Sequence, residues 1–116
     1  MATTPESKVK ERVKKILIKY PNAYRMTPTT GGYGSSGAPD IVACIDGKFI
    51  GIECKANGNK PTALQMKNLT GIAAAGGYAF IVDDKSIGVF ILALDNVVNN
   101  RAKPSVMDLT REEGAN

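Results

Sequence analysis

The sequence predicts a mixed α/β (α+β) domain, a small central β-sheet flanked by helices in the order αβββαβα. Three observations carry this. Apolar residues recur at helical spacing over residues 5–20, 62–75 and 86–99. Short apolar runs bounded by turn residues fill 23–28, 40–45, 48–56 and 78–82. Asp46-Gly47 joins two of those runs, the strongest short-range signal for a hairpin. With 116 residues there is material for a single domain, placed at 1–100, followed by a polar, flexible tail at 101–116.

The first helix starts where Thr4 caps it and Pro5 suits its first turn, and Pro21 stops it. Val9, Val13, Ile16, Leu17 and Tyr20 form its inward stripe. Glu6 projects onto that stripe, whereas Glu11 points away. Lys8, Arg12, Lys15 and Lys19 make a second row along one flank. After a strand at 23–28, residues 29–39 hold four glycines and form a loop. Neither hairpin strand alternates polar with apolar, so both faces of the sheet are expected to be covered by helices. A second loop at 57–61, containing Lys60, leads to the helix at 62–75, which Gly76-Gly77 ends. Residues 86–99 have a helical period, although their β-branched content leaves a strand open. The apolar 87–98 segment is either core or a surface for dimer burial.

The chain has no histidine. That excludes Ser-His-Asp and Cys-His nucleophilic mechanisms and histidine-based metal sites. Cys44 and Cys54 alone do not complete a structural zinc site. Their strand parity differs, so they are expected on opposite sheet faces, each as a small buried residue. No signal peptide or membrane span is legible and cysteine is sparse, which together point to the cytoplasm. Net charge is +4, with seven of the fifteen cations in residues 1–25 against Glu6 and Glu11. This asymmetry points either to a polyanion partner or to a solvated helix face.

The hairpin arithmetic yields a cluster. With Asp46-Gly47 as the turn, Ile45 pairs with Lys48 and Asp40 lies opposite Glu53. Two opposed carboxylates are mutually destabilising without a partner. Lys55 shares their face, beyond a middle of Val42, Cys44, Phe49 and Gly51. The three charges are either solvated strand ends or a site reached through the glycine-rich loop. Glu6 could join them from the first helix or serve a Thr3-x-x-Glu6 capping box. Gln65 lies on the apolar side of the 62–75 helix or closes a Thr62-x-x-Gln65 box. Carboxylates with a lysine suit magnesium-dependent phosphodiester hydrolysis, because oxygen ligands hold the hard cation.

Pro39-Asp40, twelve residues, then Glu53-Cys54-Lys55 resembles the PD-(D/E)xK nuclease signature. Four stretches resemble the virus-type replication-repair nuclease (VRR-Nuc) domain of that superfamily, in a stand-alone phage-type form, over about residues 4–82. They are Thr4-Pro5-Glu6, Gly37-Ala38-Pro39-Asp40, Gly51-Ile52-Glu53-Cys54-Lys55 and Lys60-Pro61-Thr62-Ala63-Leu64-Gln65. The resemblance implies a restriction-endonuclease-like core and a DNA endonuclease using Mg²⁺, with Mn²⁺ as substitute. It implies Asp40, Glu53 and the Cys54 backbone carbonyl as metal ligands and Lys55 as the catalytic lysine. Glu6 carries over as a metal-site carboxylate and Gln65 as a supporting residue. Lys8, Arg12, Lys15, Lys19, Arg25 and Lys60 would contact phosphates. Tyr33 would stack on a base or pack on its own loop. A homodimer acting on four-way junctions, as Holliday junction resolvases do, is the implied assembly, in phage infection within the host cytoplasm. No organic cofactor or membrane is implied. Competing readings are an inactive DNA-binding module, a restriction-type duplex nuclease and a small-molecule phosphohydrolase.

Overall fold

The structure, a computed structural model, describes residues 4–29 and 37–110. Its elements are α1 (Pro5–Ile18), β1 (Ala23–Met26), β2 (Ile41–Ile45), β3 (Lys48–Cys54), α2 (Ala63–Ala74), β4 (Tyr78–Val82), α3 (Ile87–Val98) and β5 (Val106–Asp108). The five strands form one sheet in sequence order. β1, β2 and β3 run antiparallel, while β3, β4 and β5 run parallel. Asp46 and Gly47 adopt φ of 50° and 81°, the paired positive values of a type I′ turn. They set Ile45 opposite Lys48 and Ile41 opposite Ile52, the register read from the sequence.

Helix starts follow local chemistry. Thr4 caps α1 in a reciprocal box with Ser7, and Pro5 occupies the first turn. Glu6 therefore takes no part in that box; the Thr3 alternative rests on a residue outside those described. Thr62 caps α2 in a box with Gln65, the capping alternative for that residue. Residues 87–98 are helical, which settles the choice between helix and strand.

The main core lies between the sheet and the pair α1–α3. Val9, Val13, Ile16 and Leu17 of α1 and Phe90, Leu94 and Val97 of α3 meet Ile41, Ile50, Ile52 and Phe80. Phe80 and Phe90 pack edge to face at 5.3 Å, a contact that adds about 0.5–1.5 kcal/mol to area burial. On the opposite face α2 sets Leu69 against Ala79 and Ile81.

Two expectations are corrected. Both faces are covered over β4 and most of β3, but not over β2, where burial alternates. α2 packs chiefly on β3, β4 and β5; Cys44 is exposed while Cys54 is buried. Within the polar tail expected from 101, residues 106–108 form the edge strand β5 of the sheet. Ala79 N–H donates to Ser105 O and Leu109 N–H to Ile81 O, zipping β5 onto β4. Met107 and Leu109 pack on the α1–α3 side and Val106 on the α2 side. Residues 111–116 lie outside those described.

Phe90 is fully buried. Phe90→Ala is expected to lower unfolding free energy by about 3–5 kcal/mol, measured by urea titration with the slope unchanged.

Candidate active site

β2 and β3 open at the end opposite their turn, and Asp40 stands there one residue before β2. Its Oδ2 accepts a 2.8 Å hydrogen bond from the Cys54 N–H. The side chain thus reaches across to the end of β3. Gly51 makes this approach possible: a Cβ there would lie 2.5 Å from Ile72 and 3.2 Å from Pro39. Pro39 can therefore pack against the strand immediately before Asp40.

Glu53 points to the α2 side and is 1% exposed. Its Oε2 lies 3.4 Å from Lys55 Nζ, in a pair that is itself almost wholly buried. Its Oε1 is buried with no hydrogen-bond partner. Burial, then repulsion from Asp40, raise the Glu53 carboxyl from about 4.5 to about 7, against the opposing pull of Lys55. Such a group is ionised only at appreciable cost until a cation arrives. The Lys55 N–H donates to Val82 O on β4, whereas the Cys54 N–H points to Asp40. A strand residue directs its N–H and C=O to the same side, so the Cys54 carbonyl is directed toward Asp40 as well.

From α1, Lys10 Nζ reaches within 3.8 Å of Asp40 Oδ1. Lys10 was not among the residues expected at the site. It lies one turn after Glu6 on the same side of the helix, which is the signal that could have found it. Glu6 is half-buried and close enough to act electrostatically on the Cys54 thiol. Burial first, then Asp40 and Glu53, push that thiol far up, so it stays a neutral core group. Glu11 pairs with Lys14 instead, away from the cluster.

The remaining expected residues are more dispersed. Gln65 Oε1 accepts from the Thr62 N–H, fixing the start of α2. Lys8, Arg12, Lys15, Lys19 and Arg25 are exposed. At 3.6 residues per turn, Lys10 lies about 170° around α1 from the middle of the four-cation flank. That flank therefore faces away from Asp40. Lys60 is exposed and lies 3.4 Å from Thr110. Tyr33 lies outside the described residues.

The donor set fits a hard divalent cation. Glu53 Oε1 is an orphaned buried oxygen beside a second carboxylate, and the Cys54 carbonyl is directed to the same place. Among the described residues no group of three or more His, Cys, Asp or Glu side chains could hold a metal ion. Two carboxylates and a main-chain oxygen are nonetheless a sufficient protein share for Mg²⁺, which keeps several water or phosphate ligands. No helix among the described residues is long and apolar enough to cross a membrane.

Two acids and a lysine on an antiparallel hairpin, within a mixed sheet flanked by helices, define a PD-(D/E)xK-type domain. No family model matches the chain. It is 35% identical over 63 residues to "Putative nuclease p44" of Acyrthosiphon pisum secondary endosymbiont phage 1, covering 53% of this chain and 68% of that protein. A solved structure described as "VRR_NUC domain" matches the fold with a TM-score of 0.63 at 21% identity, over 78% of this chain and 97% of that one. The chain belongs to the family of that phage nuclease and has the fold of a VRR-Nuc domain.

Because the folded-state pKa of Glu53 is raised, the folded protein binds more protons than the unfolded chain between about pH 4.5 and 7. Stability contributed by this group is therefore lost as pH rises through that window. In EDTA, the stability of wild type relative to Glu53→Gln should fall by on the order of 1–3 kcal/mol from pH 4.5 to 7.5. Urea titrations of both proteins check this; a pH-independent difference would contradict it.

Proposed function

We propose that this nuclease-family domain is a Mg²⁺-dependent DNA endonuclease, with Mn²⁺ as substitute, selective for branched DNA and acting inside the cell as a homodimer. The observation that carries the metal dependence is the buried, partnerless Oε1 of Glu53 beside Asp40. When bound, the ion supplies Lewis-acid polarisation of the phosphate and activation of water. Asp40 and Glu53 would hold it, with the Cys54 carbonyl as a third protein oxygen, while Glu6 on α1 would add negative charge at longer range.

Lys55 is aimed by its pairing with Glu53. From there its ammonium can orient the attacking water and offset charge accumulating on the phosphate. Lys10, held by Asp40, balances negative charge at the same place. Gln65 acts at one remove, by fixing the first turn of α2. Arg25 and Lys60 would take sequence-independent phosphate contacts. The flank of Lys8, Arg12, Lys15 and Lys19 faces away from Asp40. It suits an arm other than the one being cut, which supports a branched substrate over a simple duplex. For the homodimer, the support is the outer side of α3, where Val89 and Leu92 are 53% and 69% exposed.

Labelled duplex, flap, single-stranded and four-way-junction DNA, incubated with Mg²⁺, Mn²⁺ or EDTA, test the activity. Cleavage should require the metal and be fastest on the branched forms. Asp40→Asn, Glu53→Gln and Lys55→Ala should each slow cleavage by about a hundredfold or more, the scale expected for losing a group that stabilises transition-state charge. Cleavage surviving EDTA would remove the metal mechanism, and binding without cleavage would make this a binding module. Leu92→Glu should halve the mass seen by light scattering; an unchanged dimer would exclude α3 from the interface.

A further inference from the structure

The sheet face that carries Asp40, Glu53 and Lys55 has a second feature. Because α2 leaves β1 and β2 uncovered, Tyr24, Cys44 and Phe49 form one row across β1, β2 and β3. Tyr24 is 71% exposed and Phe49 47%. The row opens into a groove of about 860 Å³ between α2 and the start of β3, a volume in the range of small-ligand sites. Phe49, Leu64 and Ile72 give it apolar walls, Lys67 brings a cation, and among the described residues no Asp or Glu lines it. Pro39 and Ile72, closing over Gly51, form the ridge between this groove and the catalytic end. Phe49 and Glu53 are four residues apart on one strand, or roughly 13 Å.

We propose that this groove and the Tyr24–Phe49 row bind unpaired nucleotides of a single-stranded DNA arm adjoining the cut. The proposal rests on reading the site as a DNA endonuclease and names the part of the substrate that face receives. Exposed aromatic rings offer stacking platforms to bases of any sequence, and a flanking lysine holds the backbone. A paired duplex does not present its base faces to such rings. A second copy of the chain is the other candidate occupant. In a two-fold interface Lys67 of each copy would be brought up against the same lysine of the other, and among the described residues no acid in the groove would offset them.

Fluorescence anisotropy in EDTA, with labelled oligo-dT and a blunt duplex, tests the groove apart from catalysis. Phe49→Ala and Tyr24→Ala should each weaken oligo-dT binding by about fivefold or more and alter duplex binding by less than about twofold, with Phe49→Tyr restoring it. Lys67→Glu, an exposed change on α2, should also weaken oligo-dT binding and needs no core repacking. Equal losses on both DNAs, or no loss on oligo-dT, would overturn the proposal. So would conversion of a dimer to a monomer by Phe49→Ala in light scattering. Oligo-dT binding lost in these variants of a protein that cuts no DNA upholds the groove and removes the nuclease reading. Cleavage with oligo-dT binding unchanged by them removes the groove alone.

Discussion

The register of the β2–β3 hairpin is the constraint on which the rest of the structure depends. Asp46 and Gly47 hold it at one end with paired positive φ values, and the Asp40–Cys54 hydrogen bond closes the other. Because strand side chains alternate, a slip of one residue would turn every side chain of β3 over. Glu53 and Lys55 would then point into the aliphatic core beneath α1 and α3, and Ile52 and Cys54 would face α2. The apolar partners of Ile50 and Ile52 in that core oppose such a slip. The same hydrophobic burial that stabilises the domain thus fixes which face carries the charges.

That placement has an energetic consequence. Glu53 is buried as deeply as the aliphatic residues around it, and Lys55 satisfies only one of its oxygens. Removing a carboxylate from water costs several kcal/mol unless it is paired and hydrogen-bonded. Proximity to Asp40 adds to that cost. A second lysine from α1 relieves Asp40 and leaves Glu53 Oε1 without a partner. On the proposed reading, a cation would fill that deficit. Local instability and affinity for an ion would then be two aspects of one arrangement.

Features set by local chemistry were legible in the sequence: the I′ turn, the caps at Thr4 and Thr62, and the hairpin register that joins Asp40 to Glu53. The face shared by Lys55 followed from strand alternation alone. Features set by tertiary geometry were not. β5 is three residues long, shorter than any periodicity can reveal, and it exists because β4 offers a free edge. Cys44 was expected inside because an apolar strand looks the same whether one or two layers cover it; how far α2 extends over the sheet is not written in β2. Lys10 carries a legible signal, its spacing from Glu6, but it is one of seven cations in residues 1–25. Only the approach of α1 to the end of β2 distinguishes it.

The incomplete cover of the sheet links these observations. A single helix on the α2 side spans three of five strands, so the face that bears the buried acids also bears an open stretch of sheet. Full cover would have protected Cys44, Phe49 and Tyr24 at the cost of closing the approach to Glu53 along the strands. The exposed aromatics sit next to the chemistry because the same half-covered face carries both. On the proposed reading, a face left half open beside the acids would hold a long polyanion next to the bond being cut.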